Sequence, residues 1–359
     1  MTETLTILIT GIGSPGAPGV IKSLRAVNEY DFYIVGIDIN PYIAAKAMVD
    51  KYLVGPKASD ANYIEKLLLI CSEEKVDVVL PMVSQELLLF SKHIKEFRKI
   101  GTEVSVSNCQ SLLKAMNKGN LFKFLDEKGV SVPEYSIVYT PNELQKAILK
   151  MGYPSNPVCM KPTISDGSRG FRILDKKKNL LNQLYFEKPS SLYIGFQELF
   201  NQLQGVSSIP ETIVMEYLPF EEYSIDILAR NGQVITAIPR LREEIVNGIS
   251  VKGTIVKDNE IINYTSNIVK ELGLHGNIGV QVRRDKNRQP KIIEINPRIQ
   301  GTIVHCTAAG VNLPFLAFKL AKHLPISHDE LKVRWGLRLA RYWEEKYFYE
   351  DGRPVKEEE

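Results

Sequence analysis

Short apolar runs alternate with amphipathic segments along residues 1–105. The apolar runs have the composition of buried parallel strands and lie at residues 5–10, 32–38, 76–80 and 103–106. The segments with the apolar stripe of an amphipathic helix lie at residues 18–27, after the predicted N-cap Asp60, and at 87–97. Because strand and helix alternate, we predict an α/β domain with a parallel sheet and helices on both faces.

The pattern changes after Gly129, which ends a predicted helical region at residues 111–128. Residues 177–210 are polar and predict helices and an exposed loop. From residue 213 onward, short strand patterns dominate and indicate an α+β domain that is mostly antiparallel. The remaining predicted elements are strands at 133–139 and 158–161, helices at 142–151 and 260–272, and the strands IVMEY, YSIDILA, VITAIP, NIGVQVRR and KIIEINP.

Composition and charge indicate a globular protein and give no sign of a nucleic-acid or membrane partner. Hydrophobic residues make up 44% of the 359-residue chain and charged residues 24%, as in globular proteins. The 45 basic and 42 acidic residues nearly balance, so neither nucleic acid nor a membrane surface is an expected partner. The sequence contains no long apolar run and no signal-peptide pattern. Four scattered cysteines without a CxxC pair predict a reduced, cytoplasmic protein.

A glycine-rich loop follows the first predicted strand and opens a helix. The loop contains Gly11, Gly13, Gly16 and Gly19, and Asp38 ends the second strand. This spacing partly fits a dinucleotide fingerprint. Two prolines, Pro15 and Pro18, remove backbone N–H groups from the loop. Three interpretations therefore remain open: a nicotinamide or flavin site, a loop that contacts another substrate, and a turn without a ligand.

A carboxylate and an amide lie two residues apart near the C-terminal end. Glu294 and Asn296 belong to the strand KIIEINP, so their side chains point to the same face. A hairpin turn at residues 285–290 would place Gln281 beside them. Three oxygen donors on one face suit Mg2+, and Arg298 could bind a phosphate that the metal also contacts. The alternative is a solvated hairpin without a ligand.

Two further segments have side chains suited to a nucleotide. Lys161 ends an apolar strand and needs a partner or an anion. The loop SDGSRG, at residues 165–170, could fold over phosphates, although a flexible hairpin turn has the same composition. The segment VMEYLPFEEYS, at residues 214–224, could offer backbone groups to adenine and a carboxylate to ribose; alternatively it is a strand followed by a solvated acidic pair.

The ordered set of these segments resembles the ATP-grasp superfamily, in particular its carbamoyl-phosphate-synthase-large-chain-like branch. The resemblance rests on NKGNLFKFLDEKGVSVPEY (117–135), CMKPTISDGSRGF (159–171), VMEYLPFEEYSIDIL (214–228) and NIGVQVRRDKNRQPKIIEINPRIQGT (277–302). It implies a Rossmann-like pre-ATP-grasp domain at residues 1–110 and an ATP-grasp domain of two α+β lobes at 111–325. A lid lobe would span about residues 130–218, and residues 326–359 would form a C-terminal extension.

The resemblance also implies roles for single residues. Lys118 and Lys161 would contact the phosphates of ATP. The residues that would close over those phosphates are Ser165, Gly167, Ser168, Arg169 and Gly170. The adenine would lie against Glu216, Tyr217 and Leu218, and the ribose would bind Glu222. Mg2+, which Mn2+ could replace, would be held by Gln281, Glu294 and Asn296. Arg298 would stabilise the transferring phosphoryl group and the acyl phosphate. The candidate contacts to the substrate or the acyl phosphate are Arg240, Arg242 and Lys252. The catalytic residues would be Arg298, Lys161 and Arg240.

The function implied is an ATP-dependent carboxylate–amine ligase that acts on small molecules through an acyl phosphate. A homodimer is one oligomeric state that the resemblance allows. The chain has room for one ATP-grasp unit, whereas a carbamoyl phosphate synthase has two, and biotin carboxylases have a larger C-terminal domain. Three alternatives remain: a carbamoyl-phosphate or carboxyphosphate former, a nicotinamide-dependent oxidoreductase, and a non-catalytic nucleotide-binding module. His275 and His305 are either structural residues or general bases.

Overall fold

The computed structural model describes residues 4–165, 167, 169–178, 180–187, 190–246 and 248–355, with Leu180 described by its backbone. The strands of this part of the chain are β1 (Thr4–Thr10), β2 (Asp31–Asp38), β3 (Lys51–Val54), β4 (Val78–Leu80), β5 (Glu103–Val104), β6 (Tyr135–Val138), β7 (Val158–Pro162), β8 (Arg172–Leu174), β9 (Thr212–Glu216), β10 (Glu222–Arg230), β11 (Gln233–Val246), β12 (Ile249–Ile255), β13 (Gly276–Arg284), β14 (Pro290–Asn296) and β15 (Arg338–Ala340).

The α-helices of the described chain are α1 (Ala17–Arg25), α2 (Tyr63–Glu73), α3 (Leu87–Lys92), α4 (Ile94–Lys99), α5 (Cys109–Met116), α6 (Lys118–Glu127), α7 (Pro141–Lys150), α8 (Leu180–Tyr185), α9 (Phe196–Gln202), α10 (Asn259–Leu272), α11 (Val304–Ala308) and α12 (Leu313–Ala321). Short 3-10 helices occur at Ala44–Met48, Ser84–Glu86 and Asp329–Leu331. Within the described residues, no helix combines the length and the apolar character that crossing a bilayer requires.

The N-terminal part forms the predicted Rossmann-like sheet. Its strand order is β3-β2-β1-β4-β5, and each neighbouring pair is parallel. Successive residues of β1 point to opposite faces: Ile7 and Ile9 belong to one buried cluster, and Leu8 belongs to the other. The sheet therefore buries apolar residues on both faces, which explains why its strands read as continuous apolar runs.

Several predicted boundaries of the N-terminal helices were wrong. The helix predicted after Asp60 begins at Tyr63, with Asn62 before it. The helix predicted at residues 87–97 is interrupted at His93, which lies between α3 and α4. The helical region predicted at 111–128 is interrupted at Asn117, whose extended backbone and side chain cap α6 by accepting from Asn120 N at 2.9 Å. In each case the boundary is set by a local change in the backbone, and the spacing of apolar residues does not reveal such a change.

Antiparallel pairing dominates the remainder of the chain, as the sequence predicts. One sheet has the order β14-β13-β10-β11-β12-β15, and another has the order β6-β9-β7-β8. The pairs β10–β11, β11–β12, β12–β15, β6–β9, β7–β8 and β7–β9 are antiparallel. In the second sheet, Val158 and Val214 are fully buried and belong to a cluster with residues of α7 and α9. These two α+β sheets confirm the predicted fold class.

The chain divides into two compact units. The first consists of Met1–Met116, Glu222–Val282 and Glu294–Glu359, and the second of Asn117–Glu221 and Arg283–Ile293. The predicted lid lobe, at about residues 130–218, falls within the second unit. The predicted domain boundaries at residues 110 and 325 follow the family resemblance rather than compactness, and they stay a prediction.

Glu86 gives the N-terminal sheet an expected pH dependence. Thr10 Oγ1 donates a hydrogen bond to Glu86 Oε2 at 2.5 Å, and Glu86 is only 8% exposed. Burial raises the pKa of Glu86 from 4.5 to about 7. Between these pH values the folded protein holds a proton that the unfolded chain has lost. The contribution of Glu86 to the free energy of unfolding should therefore fall as pH rises through this window, by about 1.4 kcal/mol per pH unit at most.

The variant Glu86→Gln carries the neutral form permanently, so we expect it to be more stable than the wild type at pH 8 by about 1–3 kcal/mol. Urea unfolding between pH 5 and pH 8 measures both slopes. Glu73→Gln, at an exposed position of α2, is the matched control and should keep the wild-type slope. Equal slopes in the wild type and Glu86→Gln would show that Glu86 is ionised when folded, because the buried histidines His275 and His305, whose pKa values burial lowers, affect both proteins alike.

Candidate functional site

The predicted hairpin between β13 and β14 is present and has a well-defined turn. Asp285 Oδ1 accepts hydrogen bonds from Asn287 N at 2.8 Å and from Gln289 N at 2.9 Å. Arg288 adopts a positive φ of 64°, which lets the chain reverse direction. This turn lies at the predicted residues 285–290, so the strand that ends in EIN is paired with the strand that contains Gln281.

Glu294 and Asn296 lie side by side at the end of β14. Asn296 Nδ2 donates to Glu294 Oε1 at 3.4 Å, which confirms the shared face predicted from their spacing. Ile295, between them, is 6% exposed and belongs to the core. On the neighbouring strand, Gln281 is half-buried between the fully buried Val280 and Val282. All three predicted metal ligands are thus half-buried, and none occupies a fully buried position of its strand.

The donor chemistry of these three side chains fits a magnesium ion. They offer one carboxylate and two amide oxygens, which are hard ligands, and Mg2+ in phosphate sites keeps few protein ligands. Because the Asn296 amide nitrogen is turned toward Glu294, its oxygen is the atom that would bind a cation. In the described chain, no group of three or more His, Cys, Asp and Glu side chains could hold a metal, so carboxylate or imidazole clusters offer no competing metal site there.

Arg298 connects the end of this hairpin segment to the N-terminal sheet. Its Nε donates to Ser84 Oγ at 3.1 Å, and its Nη1 donates to the carbonyl of Ile299 at 2.9 Å. Ser84 begins the 3-10 helix that follows β4. In open parallel sheets, ligands bind at the carboxyl ends of the strands. Arg298 therefore lies at the edge of the sheet where a substrate is expected.

Arg240, predicted as a catalytic residue, is buried in a network of polar side chains. Its Nε lies 2.5 Å from Asp226 Oδ2, and both side chains are at most 3% exposed. Its Nη2 also donates to Ser224 Oγ at 3.3 Å and to Gln300 Oε1 at 3.4 Å. These contacts hold the segment that follows Arg298. A direct contact between Arg240 and substrate stays a prediction.

Gln300, which sequence reasoning missed, is fixed by this network. Ser224 Oγ donates to Gln300 Oε1, and Gln300 Nε2 donates to the carbonyl of Ile225 at 3.4 Å. The side chain lies directly over Gly279 of β13, where a Cβ atom would come within 1.7 Å of Gln300 Nε2. The one signal in the sequence is the glycine inside an apolar strand, which marks a close approach.

The other predicted contacts on β10, β11 and β12 have partners within their own sheet. Arg242 Nη1 donates to Glu222 Oε1, and Arg242 Nε donates to Ser250 Oγ at 3.0 Å. Burial lowers the pKa of Arg242, whereas the nearby Glu222 acts in the opposite direction. Lys252 pairs with Glu244 at 2.7 Å on the exposed surface. The predicted ribose ligand Glu222 therefore already has a cationic partner.

In the second unit, both predicted phosphate-binding lysines are buried. Lys118 begins α6 and is 5% exposed, and its Nζ donates to the carbonyl of Ser165 at 3.0 Å. Lys161, in β7, is also 5% exposed, and its Nζ donates to the carbonyl of Ile293 at 3.0 Å. Ile293 directly precedes the predicted metal ligand Glu294 in the chain. Ammonium groups held at such buried positions are suited to binding an anion.

The glycine-containing loop connects β7 to β8, which pair as an antiparallel hairpin. Gly167 and Gly170 have φ values of 62° and 75°, which favour glycine. A Cβ atom at Gly170 would lie 2.6 Å from Pro162 Cδ. Ser165 Oγ donates to the carbonyl of Pro162 at 3.4 Å, Arg169 is exposed, and Ser168 lies outside the described residues. The loop is a hairpin connection rather than a strand-to-helix phosphate loop.

The predicted adenine-binding segment follows β9. Glu216 N donates to the carbonyl of Glu134 at 3.0 Å, and Glu216 Oε1 accepts from Glu134 N at 3.0 Å. The Arg283 guanidinium lies over the Tyr217 ring, with its Cζ atom 5.6 Å from the ring centroid. Leu218 is 3% exposed. The amide of Glu216 is therefore already used in the sheet, and adenine contact by residues 216–218 stays a prediction.

The glycine loop of the N-terminal domain folds onto Asp38. Gly13 N donates to Asp38 Oδ2 at 2.7 Å, and Asn40 N donates to Asp38 Oδ1 at 2.9 Å. Both carboxylate oxygens thus bind backbone of the same domain. In dinucleotide-binding domains the equivalent acidic residue accepts the ribose hydroxyls. This arrangement disfavours the nicotinamide interpretation of the loop.

Two buried histidines and two buried cysteines lie in environments that disfavour their charged forms. Burial lowers the pKa of both His275 and His305. The His305 Nε2 atom lies 3.0 Å from the carbonyl of Leu337, so it carries the proton of the neutral ring. Burial raises the pKa of Cys71 and of Cys159 to about 12, which makes thiolate chemistry unfavourable. All four cysteines are free thiols.

Two segments of the chain match known family models. Residues 208–344 match the family described as ATP-grasp in the biosynthetic pathway with Ter operon. Residues 7–105 match the family described as PylC-like, N-terminal domain. The chain is 22% identical to the carbamoyl phosphate synthase large chain of Pseudomonas putida, over 92% of this chain and 31% of that protein. For the same protein of Campylobacter jejuni, identity is 24%, over 87% of this chain and 28% of the relative. The chain thus spans about a third of their length.

Solved structures share the fold at low sequence identity. An ADP complex of N5-carboxyaminoimidazole ribonucleotide synthetase gives a TM-score of 0.66 at 19% identity, covering 92% of this chain and 80% of that one. The L-amino acid ligase of Bacillus licheniformis gives 0.60 at 15% identity, covering 92% and 76%. Biotin carboxylase of Campylobacter jejuni gives 0.64 at 14% identity, covering 91% and 73%. The chain therefore contains a segment that matches an ATP-grasp family model and a segment that matches a PylC-like N-terminal-domain model, and it shares its fold with these solved structures.

Proposed function

We propose that this protein is an ATP-dependent carboxylate–amine ligase that forms an amide or peptide bond through an acyl phosphate and releases ADP and phosphate. The observation that carries the proposal is the pairing of Glu294 and Asn296 at 3.4 Å, with Arg298 two residues further on and bound to Ser84. A carboxylate, an amide and a guanidinium in this order supply cation ligands and an anion-binding group within one short segment.

The two buried lysines support the ATP-binding half of the proposal. Lys118 and Lys161 each donate to a backbone carbonyl, which holds the ammonium groups at fixed positions. Under the proposal they would contact phosphate oxygens of ATP, and the loop at residues 165–170 would cover those oxygens. Two solved structures that share this fold are complexes with ADP and with MgADP, which supports the same ligand here.

The chemistry follows from the poor reactivity of carboxylates toward amines. ATP and its Mg2+ ion supply a phosphoryl group that turns the carboxylate oxygen into a good leaving group. Lys161 and Arg298 would orient that phosphoryl group and balance its charge by position, without covalent chemistry. Gln281, Glu294 and Asn296 would hold the ion. The buried lysines and the covering loop would exclude water, because an acyl phosphate hydrolyses readily.

A carboxyphosphate- or carbamoyl-phosphate-forming activity is the second candidate. The curated relatives named above are carbamoyl phosphate synthase large chains, which favours it. The chain spans about a third of their length, so it would perform at most part of their reaction. ADP release that depends on bicarbonate, with no organic acid added, would support this candidate over the ligase.

The decisive experiment is a phosphate-release screen with Mg-ATP, in which amino acids and small organic acids are supplied singly and in pairs. A ligase should release phosphate only when both an acid and an amine are present, and the product mass should equal the sum of the two minus water. Release with bicarbonate alone would favour the second candidate. No turnover with any pair and no binding of Mg-ATP would contradict both.

A further inference from the structure

A surface cavity of about 190 Å³ lies between the connection that follows β2 and the C-terminal segment of the chain. Its β2 side is lined by residues 41–44 and Lys46, and its C-terminal side by Lys346, Phe348 and Gly352. All of them belong to the first unit. The C-terminal side follows residue 344, where the ATP-grasp match ends. It is therefore not part of the segment that the family model describes, and none of these residues is a predicted site residue.

Hydrogen bonds and a ring contact hold the β2 side of the cavity in place. Asn40 Oδ1 accepts from Tyr42 N at 3.0 Å, and the carbonyl of Asn40 accepts from Tyr52 Oη at 2.6 Å. Lys46 lies in the 3-10 helix Ala44–Met48, and its Nζ is 5.5 Å from the centroid of the Tyr52 ring. Tyr52 therefore connects the backbone that carries Tyr42 to the ammonium group of Lys46. The Tyr42 side chain is 75% exposed, so a ligand can reach it.

The C-terminal side of the cavity is formed by a turn in a segment that is anchored to α1. Gly352 N donates to the carbonyl of Tyr349 at 2.9 Å, which closes the turn. Glu344 pairs with Lys346 at 3.0 Å and with Lys22 of α1 at 3.3 Å. Glu344 thus holds the C-terminal segment against α1 and takes up part of the positive charge of Lys346.

Gly352 leaves space in front of the Lys46 ammonium group. Its φ of 77° favours glycine, and a Cβ atom at this position would lie 3.0 Å from Lys46 Nζ. Among the residues that the structure describes, Lys46 forms no ion pair. Asp351, next to Gly352, pairs with Arg353 Nε at 2.6 Å. Hydrogen bonds from Arg353 lower the pKa of Asp351, and the charge of Lys46 adds to this effect. The cavity therefore presents an ammonium group that no directly paired carboxylate neutralises.

The cavity combines aromatic rings with positive charge. Its walls include the rings of Tyr42 and Phe348 and the ammonium groups of Lys46 and Lys346, and none of its lining residues in the described chain is acidic. Aromatic side chains pack favourably against a flat ring, and ammonium groups form strong hydrogen bonds with carboxylates. Drug-sized ligands occupy pockets of about 300–1,000 Å³. A cavity of about 190 Å³ therefore suits one ring with a short substituent, which is smaller than a nucleotide.

We propose that this cavity is a binding site for a small aromatic carboxylate. The ring of the ligand lies against Tyr42 and Phe348, and its carboxylate accepts hydrogen bonds from Lys46 and Lys346. A carboxylate fits better than a phosphate dianion, because Glu344 already takes up part of the positive charge of Lys346. The inference goes beyond the proposed ligase function and does not depend on it, since none of these side chains belongs to the candidate site for ATP and Mg2+.

Calorimetric titration with benzoate, without nucleotide, tests the site directly. We expect saturable binding by the wild type. Benzamide, which lacks the charge, and cyclohexanecarboxylate, which lacks the flat ring, should each bind at least about threefold more weakly. Lys46→Gln should weaken benzoate binding at least about fivefold and remove the preference for benzoate over benzamide. Tyr42→Ala should weaken benzoate binding about threefold and reduce the preference for benzoate over cyclohexanecarboxylate.

The matched controls are Lys57→Gln and Tyr342→Ala. Lys57 is an exposed lysine that follows β3, and Tyr342 is 80% exposed in the C-terminal segment; neither lines the cavity. Both controls should bind benzoate with wild-type affinity. Absence of saturable benzoate binding by the wild type overturns the proposal, as does wild-type affinity in both Lys46→Gln and Tyr42→Ala. If Lys46→Gln does not fold, Tyr42→Ala and the comparison with benzamide still decide the question.

Saturating Mg-ADP separates this cavity from the nucleotide site. In its presence, the affinity of the wild type for benzoate should stay within about threefold of the value without nucleotide. Competitive displacement of benzoate by Mg-ADP would place the ligand at the nucleotide site and overturn the proposal. Benzoate binding by a protein that shows no ATP turnover would retain the cavity as a binding site and contradict only the ligase function.

Discussion

Replacing Glu294 by glutamine should reduce magnesium-dependent ADP formation by about a hundredfold or more, since a metal ion supplies several kcal/mol of charge stabilisation in phosphoryl transfer. Glu294 is the one carboxylate of the predicted ligand set, and glutamine keeps its size while removing its charge. The glutamine oxygen can still accept the hydrogen bond that Asn296 Nδ2 donates to Glu294 at 3.4 Å, so the substitution tests the charge of Glu294 rather than this contact. Initial rates at increasing Mg2+ concentration measure the effect.

The matched control for this substitution is Glu244→Gln. Glu244 is also on a strand of the same sheet, but it pairs with Lys252 at the exposed surface. Its rate should stay within twofold of the wild type, as is usual for a surface ion pair of about 0–1 kcal/mol. Glu294→Gln should keep the wild-type melting temperature to within a few degrees. Wild-type turnover by this variant, at low Mg2+ concentration, would remove Glu294 from the metal site.

Loss of the Lys161 ammonium should weaken ATP binding by about ten- to a hundredfold, which corresponds to about 1.5–3 kcal/mol for a hydrogen bond to a charged group. Methionine has a similar length and suits the buried position, which is 5% exposed. The carbonyl of Ile293 would lose its 3.0 Å partner, so a modest loss of stability is also expected. Calorimetric titration with ATP and Mg2+ gives the dissociation constant.

Lys291→Met separates a general charge effect from a phosphate contact. Lys291 lies in the same unit and also donates to a backbone carbonyl, that of Val132 at 3.2 Å. ATP affinity should change by less than about threefold in this control, because screened surface charges act weakly at physiological salt. If Lys161→Met and Lys291→Met bound ATP equally well, Lys161 would have no role in phosphate binding.

The parts of the fold that the sequence predicts are those with a local signal. Parallel strands such as β1 show continuous apolar runs because both faces are buried, and the β13–β14 hairpin shows a polar turn between two strand patterns. Strand β3, at Lys51–Val54, was missed because it is short and pairs only with β2, so half-exposed residues interrupt its pattern. The end of α5 was missed because Asn117 acts through its cap, not through periodicity.

For the candidate site, sequence order and strand spacing identify the metal ligands, since Glu294 and Asn296 are two residues apart on one strand. Spacing does not reveal partners that only the register creates. Ser224 opposes Arg240 in the pairing of β10 with β11, and this register brings Asp226 to the same guanidinium. The resemblance to a family supplied Arg240 as a substrate contact, whereas its burial beside Asp226 became evident only from the folded sheet.

The polar network around Gln300 depends on the absence of a side chain at Gly279 in β13. An alanine methyl group there would overlap three atoms of the Gln300 side chain, the nearest at 1.7 Å. Gln300 would have to rotate away from Ser224 and Arg240, and both would lose an acceptor. A methyl group at position 279 would thus break the contact between Arg240 and Gln300, which lies in the segment that follows Arg298. Evolutionary exchange at position 279 therefore requires a simultaneous change at position 300.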